Sequence, residues 1–339
     1  MDSGFKKGYN FVLFFIFAGA LFGFALARLQ YLDINGKYKD GSMPGEWYYY
    51  ARRHYKIGIA LHLACVVPAA FLGPFQFVPI IRYKALLFHR INGYLCILLI
   101  ILGNVGALMI ARYSVGGELS TQSYVGALAI MTTIGIFLAA WNIKKLQIDQ
   151  HRAWMLRVWF YLGTIITIRI IMIIAAQIIT NFPGYFAAMP CRQIESMGGD
   201  AMAYPVCAED MNARTVVVAK FDDNVEHIAA SFHVTFGTAG WLALWMHAIG
   251  VEIYLKLTSA EDERLRRVSY ERQLERGFAN PGSAGLTADK LGDVERWTPP
   301  TDVVAEKKQE TEEPEAVRSA SETDAASAIQ KPAPSLGWR

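Results

Sequence analysis

Acidic side chains are almost missing from the apolar part of this chain. No Asp or Glu occurs in the runs 8–27, 57–81, 91–111, 123–143 and 158–180, and a sixth run, 228–257, has none before Glu252. Transport coupled to protons uses intramembrane carboxylates, so their lack speaks against a transporter. Cysteine is scarce as well, four in 339 residues, with no Cys-x-x-Cys pair of the kind that holds metal. No Asn-x-Ser/Thr sequon is present. Phosphate-binding Gly-x4-Gly-Lys-Ser/Thr, His-Glu-x-x-His, Gly-x-Ser-x-Gly and Gly-x-Gly-x-x-Gly patterns are all missing. Nothing in the charge pattern suits nucleic acid.

What is present is apolar length. The chain is 53% hydrophobic, and its mean hydropathy of +0.23 averages an apolar body with a polar tail. A run of about 20 apolar residues spans a bilayer core, so these runs predict an all-α polytopic membrane bundle of about six transmembrane helices. The expected spans are 8–27, 57–81, 91–111, 123–143, 158–180 and 228–257. Ala25-Leu26-Ala27 has the look of a signal-peptidase site, but the run before it is long for a signal peptide, and a retained first span is expected. Pro68, Pro74 and Pro79 predict kinks or a break in the second span. Trp47-Tyr48-Tyr49-Tyr50 suits the membrane–water interface.

Lys and Arg crowd the N-terminus, the links after spans two and four, and the region after span six. The positive-inside rule then puts both termini in the cytoplasm, with Lys37, Lys39, Arg52, Arg53 and Lys56 of the first outer connection as the dissenting group. Residues 181–226 become a lumenal or extracellular loop, where Cys191 and Cys207 are expected to form a disulfide. Residues 258–339 become a cytoplasmic tail. Its first part, Ser259–Arg276, reads as a helix whose arginines either meet anionic lipid or are simply solvated. From Gly277 onward, Pro, Glu, Ser, Ala and Lys dominate, and disorder is expected.

One charge stands inside the apolar body. Val158–Thr180 is 23 residues long, and Arg169 is its twelfth. A guanidinium at that depth costs about 2.5–3.5 kcal/mol on insertion scales, so it needs a partner and marks function by default. With no carboxylate in the neighbouring span cores, the residues at matching depth are Asn104, Thr132 and Thr133. Arg169 held only by neutral oxygens would remain a cation in low dielectric and attract an anion. The plainer alternative is a structural Arg bonded to Asn104, hydroxyls and helix carbonyls. His151 lies 18 residues before Arg169, on the same helix face but about 27 Å away, at the inner surface.

The histidines offer a second chemistry. His233 and His247 are 14 residues apart, within about 40° of one face and about 21 Å along the axis, a spacing that suits two stacked b-type haems. His62 matches His233 in depth, so an outer His62–His233 pair is allowed. His247 has no equally good partner, since His89 and His151 sit at the boundary and Gln76 is a poor haem ligand. The bland reading is cavity-lining and interfacial histidines. Phe88-His89-Arg90 and Gln150-His151-Arg152 each put His-Arg at an inner helix start, where a cation opposes the helix dipole and phosphate groups would favour it. There the bland reading is arginine snorkelling to headgroups.

Leu61-His62, Gly73-Pro74-Phe75-Gln76-Phe77, Arg82, His89-Arg90-x-x-Gly93-Tyr94, His151-Arg152-Ala153-Trp154-Met155-x-Arg157 and Arg169 resemble an uncharacterised multi-pass membrane family, a domain of unknown function found in bacteria and fungi. The likeness covers about residues 55–180 and implies a helical bundle. It is loosely similar to transmembrane haem cytochromes, and it implies no axial ligand.

The expected function is an accessory or binding protein that holds a lipophilic, anionic ligand or a membrane enzyme partner around Arg169. Asn104, Thr132, Thr133, His151, Arg152, His89 and Arg90 are the candidate companions. The alternative is a haem b oxidoreductase using His62 and His233, with His247 as a further candidate ligand. A transporter is third. No metal site and no nucleic-acid partner are expected; membrane lipids are.

Overall fold

The structure is a computed structural model that describes residues 7–299; 1–6 and 300–339 lie outside the described residues. The chain is helical, with six helices long and apolar enough to cross a membrane. Besides the short helices Lys39–Gly41 and Pro79–Lys84, the helices in chain order are α1 (Gly8–Arg28), α2 (Glu46–Tyr50), α3 (Arg53–Leu72), α4 (Leu86–Ile110), α5 (Leu119–Lys144), α6 (Ile148–Thr180), α7 (Cys191–Ser196), α8 (Pro205–Glu209), α9 (Val225–Leu257) and α10 (Ser259–Glu275). The six long ones are α1, α3, α4, α5, α6 and α9. Two compact units divide the chain: one holds Arg152–Thr258 and everything up to Ala140, the other Trp141–His151 and the residues from Ser259 on.

In the first unit the proline-bearing span breaks. Pro68 sits within α3 without ending it, and α3 stops at Leu72. Gly73–Phe77 forms a 3-10 turn carrying Pro74, and Pro79 opens a short helix to Lys84. The amide of Asn92 donates to the Leu72 carbonyl at 3.0 Å, and that of Gln76 to the His89 carbonyl at 3.3 Å. The first bond answers a carbonyl at the break, as an apolar medium requires, and the second ties the turn to the start of α4. The backbones of α3 and α4 run close together. A Cβ built on Gly106 would lie 2.6 Å from the His62 nitrogen and 2.8 Å from the Gly58 oxygen, so this contact needs glycine.

The connection 29–52 is more than an interfacial belt. Tyr38, Tyr49 and Tyr50 are buried with Ile59 and Ile110 in one cluster. Tyr49 stacks on Tyr113 with ring centroids 4.1 Å apart. Between α6 and α9 the chain forms a small disulfide-closed segment. Strands β1 (Phe186–Pro190) and β2 (Arg214–Val218) pair antiparallel, with Ala188 opposite Val216. Cys191, at the start of α7, is bonded to Cys207 in α8. Met189, Ile194 and Val217 form the core of this segment, with Ala230 of α9 packed against them.

The second unit reads differently from the sequence expectation. Gly277 was expected to begin disorder, yet residues 277–299 are placed and fold back on the α5–α6 turn; the rest of that expectation lies outside the described residues. The buried side chains here are polar: Asn142, Gln147, Asp149, Ser269 and Gln273. Backbone N–H groups of Gly282, Gly285 and Leu286 donate to Gln273, Gln147 and Asn142. The arginines of α10 that were candidates for lipid contact are partly used inside the unit. Arg264 pairs with Glu261 at 2.7 Å, and Arg266 with Asp289 at 3.3 Å.

Candidate functional site

Arg169 lies in α6, eleven residues before its end at Thr180. The charged and phenolic groups that act on it most strongly are Arg28, Glu46, Tyr31 and Tyr38. All four come from the end of α1 and the connection after it. The carboxylate absent from every span core is therefore supplied by α2. Glu46 is 9% exposed and fixed in place: its carboxylate accepts from the backbone N–H groups of Val115 and Met43, each at 3.3 Å. Burial pushes its carboxyl up, against the pull of those two N–H groups and of the Arg169 guanidinium. Burial likewise raises the neighbouring Tyr38 and Tyr50 phenols well above their ordinary value, with the Glu46 charge adding to it.

Two guanidiniums share one ring. Arg169 lies over Phe24 at 5.8 Å and Arg28 over the same ring at 5.2 Å, with Arg28 also 5.0 Å from the ring of Tyr31. The Nε atoms of both arginines are buried without a hydrogen-bond partner. A cation over a ring face gains about 0.5–2 kcal/mol, which falls short of a missing charge-assisted hydrogen bond plus like-charge repulsion. The site carries unspent positive charge.

The companions expected for Arg169 have hydrogen-bond partners of their own. The Asn104 amide donates to Thr132 at 3.0 Å and to Thr133 at 3.2 Å, tying α4 to α5. Thr132 in turn donates to the Leu128 carbonyl. Arg152 donates to Thr258 at 3.1 Å and lies 5.9 Å from the Tyr254 ring, with its Nη1 buried and unpartnered. His151 belongs to the second unit. His89 is partly buried at the start of α4, and Arg90 beside it is exposed.

The histidines have separate neighbours. His62 bonds through Nδ1 to the Gly103 carbonyl at 2.9 Å. His233 is buried against Gly116, where a Cβ would come within 2.3 Å of its ring; Gly116 also has φ of +82°. His247 uses both ring nitrogens, Nδ1 with the Phe160 carbonyl at 2.7 Å and Nε2 with the Thr167 hydroxyl at 2.8 Å. With Nδ1 donating to that carbonyl, the Nε2 lone pair of His247 accepts from the Thr167 hydroxyl.

Arg28 and Glu46 were the residues that sequence reasoning missed. The signal was present, because Glu46 directly precedes Trp-Tyr-Tyr-Tyr and Arg28 directly follows an apolar run. Both lie just outside a span, and no periodicity reveals that the connection turns back into the bundle.

Residues 59–189 match the family described as "Predicted membrane protein (DUF2306)". The match includes Arg169, His62 and the broken second span, while Arg28 and Glu46 precede it. A curated relative, "Ava biosynthesis cluster protein G" of Aspergillus versicolor, is 24% identical over 318 residues, covering 78% of this chain and 93% of that protein. No solved structure matches.

Proposed function

We propose that this integral membrane protein is a binding or accessory protein that holds a lipophilic anion at Arg169. The observation that carries the reading is the buried Arg169 Nε without a hydrogen-bond partner, beside a second arginine in the same condition. Each such donor costs about 1–3 kcal/mol when left empty, more for a charged group, and an acidic ligand would recover it. The name of the Aspergillus relative sets that protein in a biosynthesis cluster, which favours a lipophilic biosynthetic compound, or an enzyme that handles one, as the partner here. Lipids surround the bundle. Both termini are taken as cytoplasmic from the Lys/Arg distribution, and the disulfide-closed segment as lumenal or extracellular.

Replacing Arg169 with Leu should abolish whatever activity the intact gene supports, while His62→Ala and His233→Ala should spare it. The opposite pattern would favour the second reading, a b-type haem on His62 and His233. One observation supports that reading: Nδ1 of His62 donating to the Gly103 carbonyl leaves Nε2 as the lone-pair nitrogen, the arrangement a ligating histidine adopts. An absorption spectrum of protein expressed with haem supplied separates the two, since only the second predicts a Soret band.

A further inference from the structure

We infer that the acidic group of this ligand is a single carboxylate, gripped between Arg28 and Arg169 and reached from the lipid past α1. The inference rests on the reading of Arg169 as an anion site and adds the second arm, the charge and the route.

The second arm is Arg28. Its guanidinium and that of Arg169 both lie on Phe24, and the two repel. Such a pair is held together cheaply only when something negative sits between the charges. The two Nε atoms are the donors waiting for it, and a carboxylate has two oxygens to answer two guanidiniums.

The charge follows by counting. Arg28 and Arg169 bring two positive charges, and an ionised Glu46 brings one negative. Glu46 is already spent on the backbone of Val115 and Met43, so it neutralises from a distance instead of pairing. One positive charge remains, which a monoanion balances. A phosphate monoester, near −2 at neutral pH, would leave the site negative.

The route follows from what surrounds the two guanidiniums. Toward the connection 29–52, Tyr38, Tyr49 and Tyr50 form a buried cluster with Ile59 and Ile110. Toward the lipid there is α1, of whose described residues Ala25 alone is buried. It is held by ring contacts of Phe17 with Phe160 and Phe22 with Phe71, and by the Tyr254 hydroxyl donating to Asn10 at 3.2 Å. Leu26 and Leu29, flanking Arg28, are exposed. The thin wall is the one that faces lipid, so a chain-bearing acid enters from the bilayer.

The test uses the full chain in nanodiscs of zwitterionic lipid and a fluorescent polyene fatty acid as probe, with its methyl ester and a phosphate monoester of similar chain length. Wild type should bind the acid at least about tenfold more tightly than the ester and in preference to the phosphate. Arg28→Gln and Arg169→Gln should each weaken the acid by about tenfold or more, and Arg28→Lys should restore part of the loss. Glu46→Gln should move the preference toward the phosphate. Equal binding of acid and ester overturns the proposal without any variant, so misfolding of a mutant cannot protect it. Loss with Arg169→Gln but none with Arg28→Gln overturns the paired grip while leaving the Arg169 reading intact; no loss with either overturns both.

Discussion

Glu46 and Arg169 illustrate how a single residue's environment sets its chemistry. Burial raises the Glu46 carboxyl from its usual value near 4.5, so the native protein holds that proton at pH values where the unfolded chain has released it. Stability contributed by this group is then greatest below 4.5 and falls as pH climbs from there through the raised folded value. The groups that face it are Arg169, Tyr38 and Tyr50, and of these Arg169 alone is charged at such pH. Thermal unfolding in detergent should show wild type losing stability across that window and Glu46→Gln losing less. Parallel curves for the two proteins would contradict the account. Equal depth along the spans was legible from their length, and Asn104 does meet Thr132 and Thr133. Which helix faces turn toward Arg169 was not legible, because depth carries no information about rotation.

Short elements hold the site in place. Gly45, with φ of +81°, precedes α2, and its carbonyl accepts from the amide of Gln193 at 3.1 Å. The Tyr49 hydroxyl donates to the same amide's oxygen at 3.2 Å. Gln193 is 1% exposed and lies two residues after Cys191, so the disulfide-closed segment steadies the helix that supplies Glu46. Closing a loop of about 15 residues contributes about 3 kcal/mol in the chain-entropy account. Gln193→Leu, or Cys191→Ser with Cys207→Ser, should raise amide hydrogen exchange across 46–50 relative to α3. Unchanged protection there would show that α2 stands without this support. The long helices were legible because an apolar run of bilayer length has few other uses. Helix α2 was not, since five residues rich in aromatics look the same at an interface and in a core. The disulfide was legible from topology alone.

At the scale of the whole molecule, two kinds of core coexist. The first unit buries apolar side chains such as Tyr124, Ile168, Phe236 and Leu244, joined by polar ties such as the Tyr124–Thr164 bond at 3.0 Å. The second unit is built on Asp149, which accepts from Gln147 at 2.8 Å, Ser269 at 3.0 Å and Gln150 at 3.2 Å. Gln273 donates to Gln147 at 3.0 Å and to the Lys145 carbonyl at 2.9 Å. Ser269 and Gln273, one helical turn apart, are the buried residues of α10. A buried stripe made of polar residues leaves no hydrophobic period to read, which is why composition suggested disorder from Gly277. Asp149→Ala should remove the acceptor shared by Gln147, Gln150 and Ser269, destabilise by about 1–3 kcal/mol because Gln147 and Ser269 keep the Gly282 and Leu265 carbonyls, and expose 277–297 to limited proteolysis. Resistance equal to wild type would show that the network does not hold this unit together.

The central claim is that an acidic, lipophilic molecule is held at Arg169, and native mass spectrometry of protein taken gently from its own membrane tests it most directly. Wild type and His62→Ala should carry the same bound mass, ionising as an acid, and Arg169→Leu should lose it. A wild-type protein that flies empty, or an Arg169→Leu protein that keeps the mass, would contradict the account.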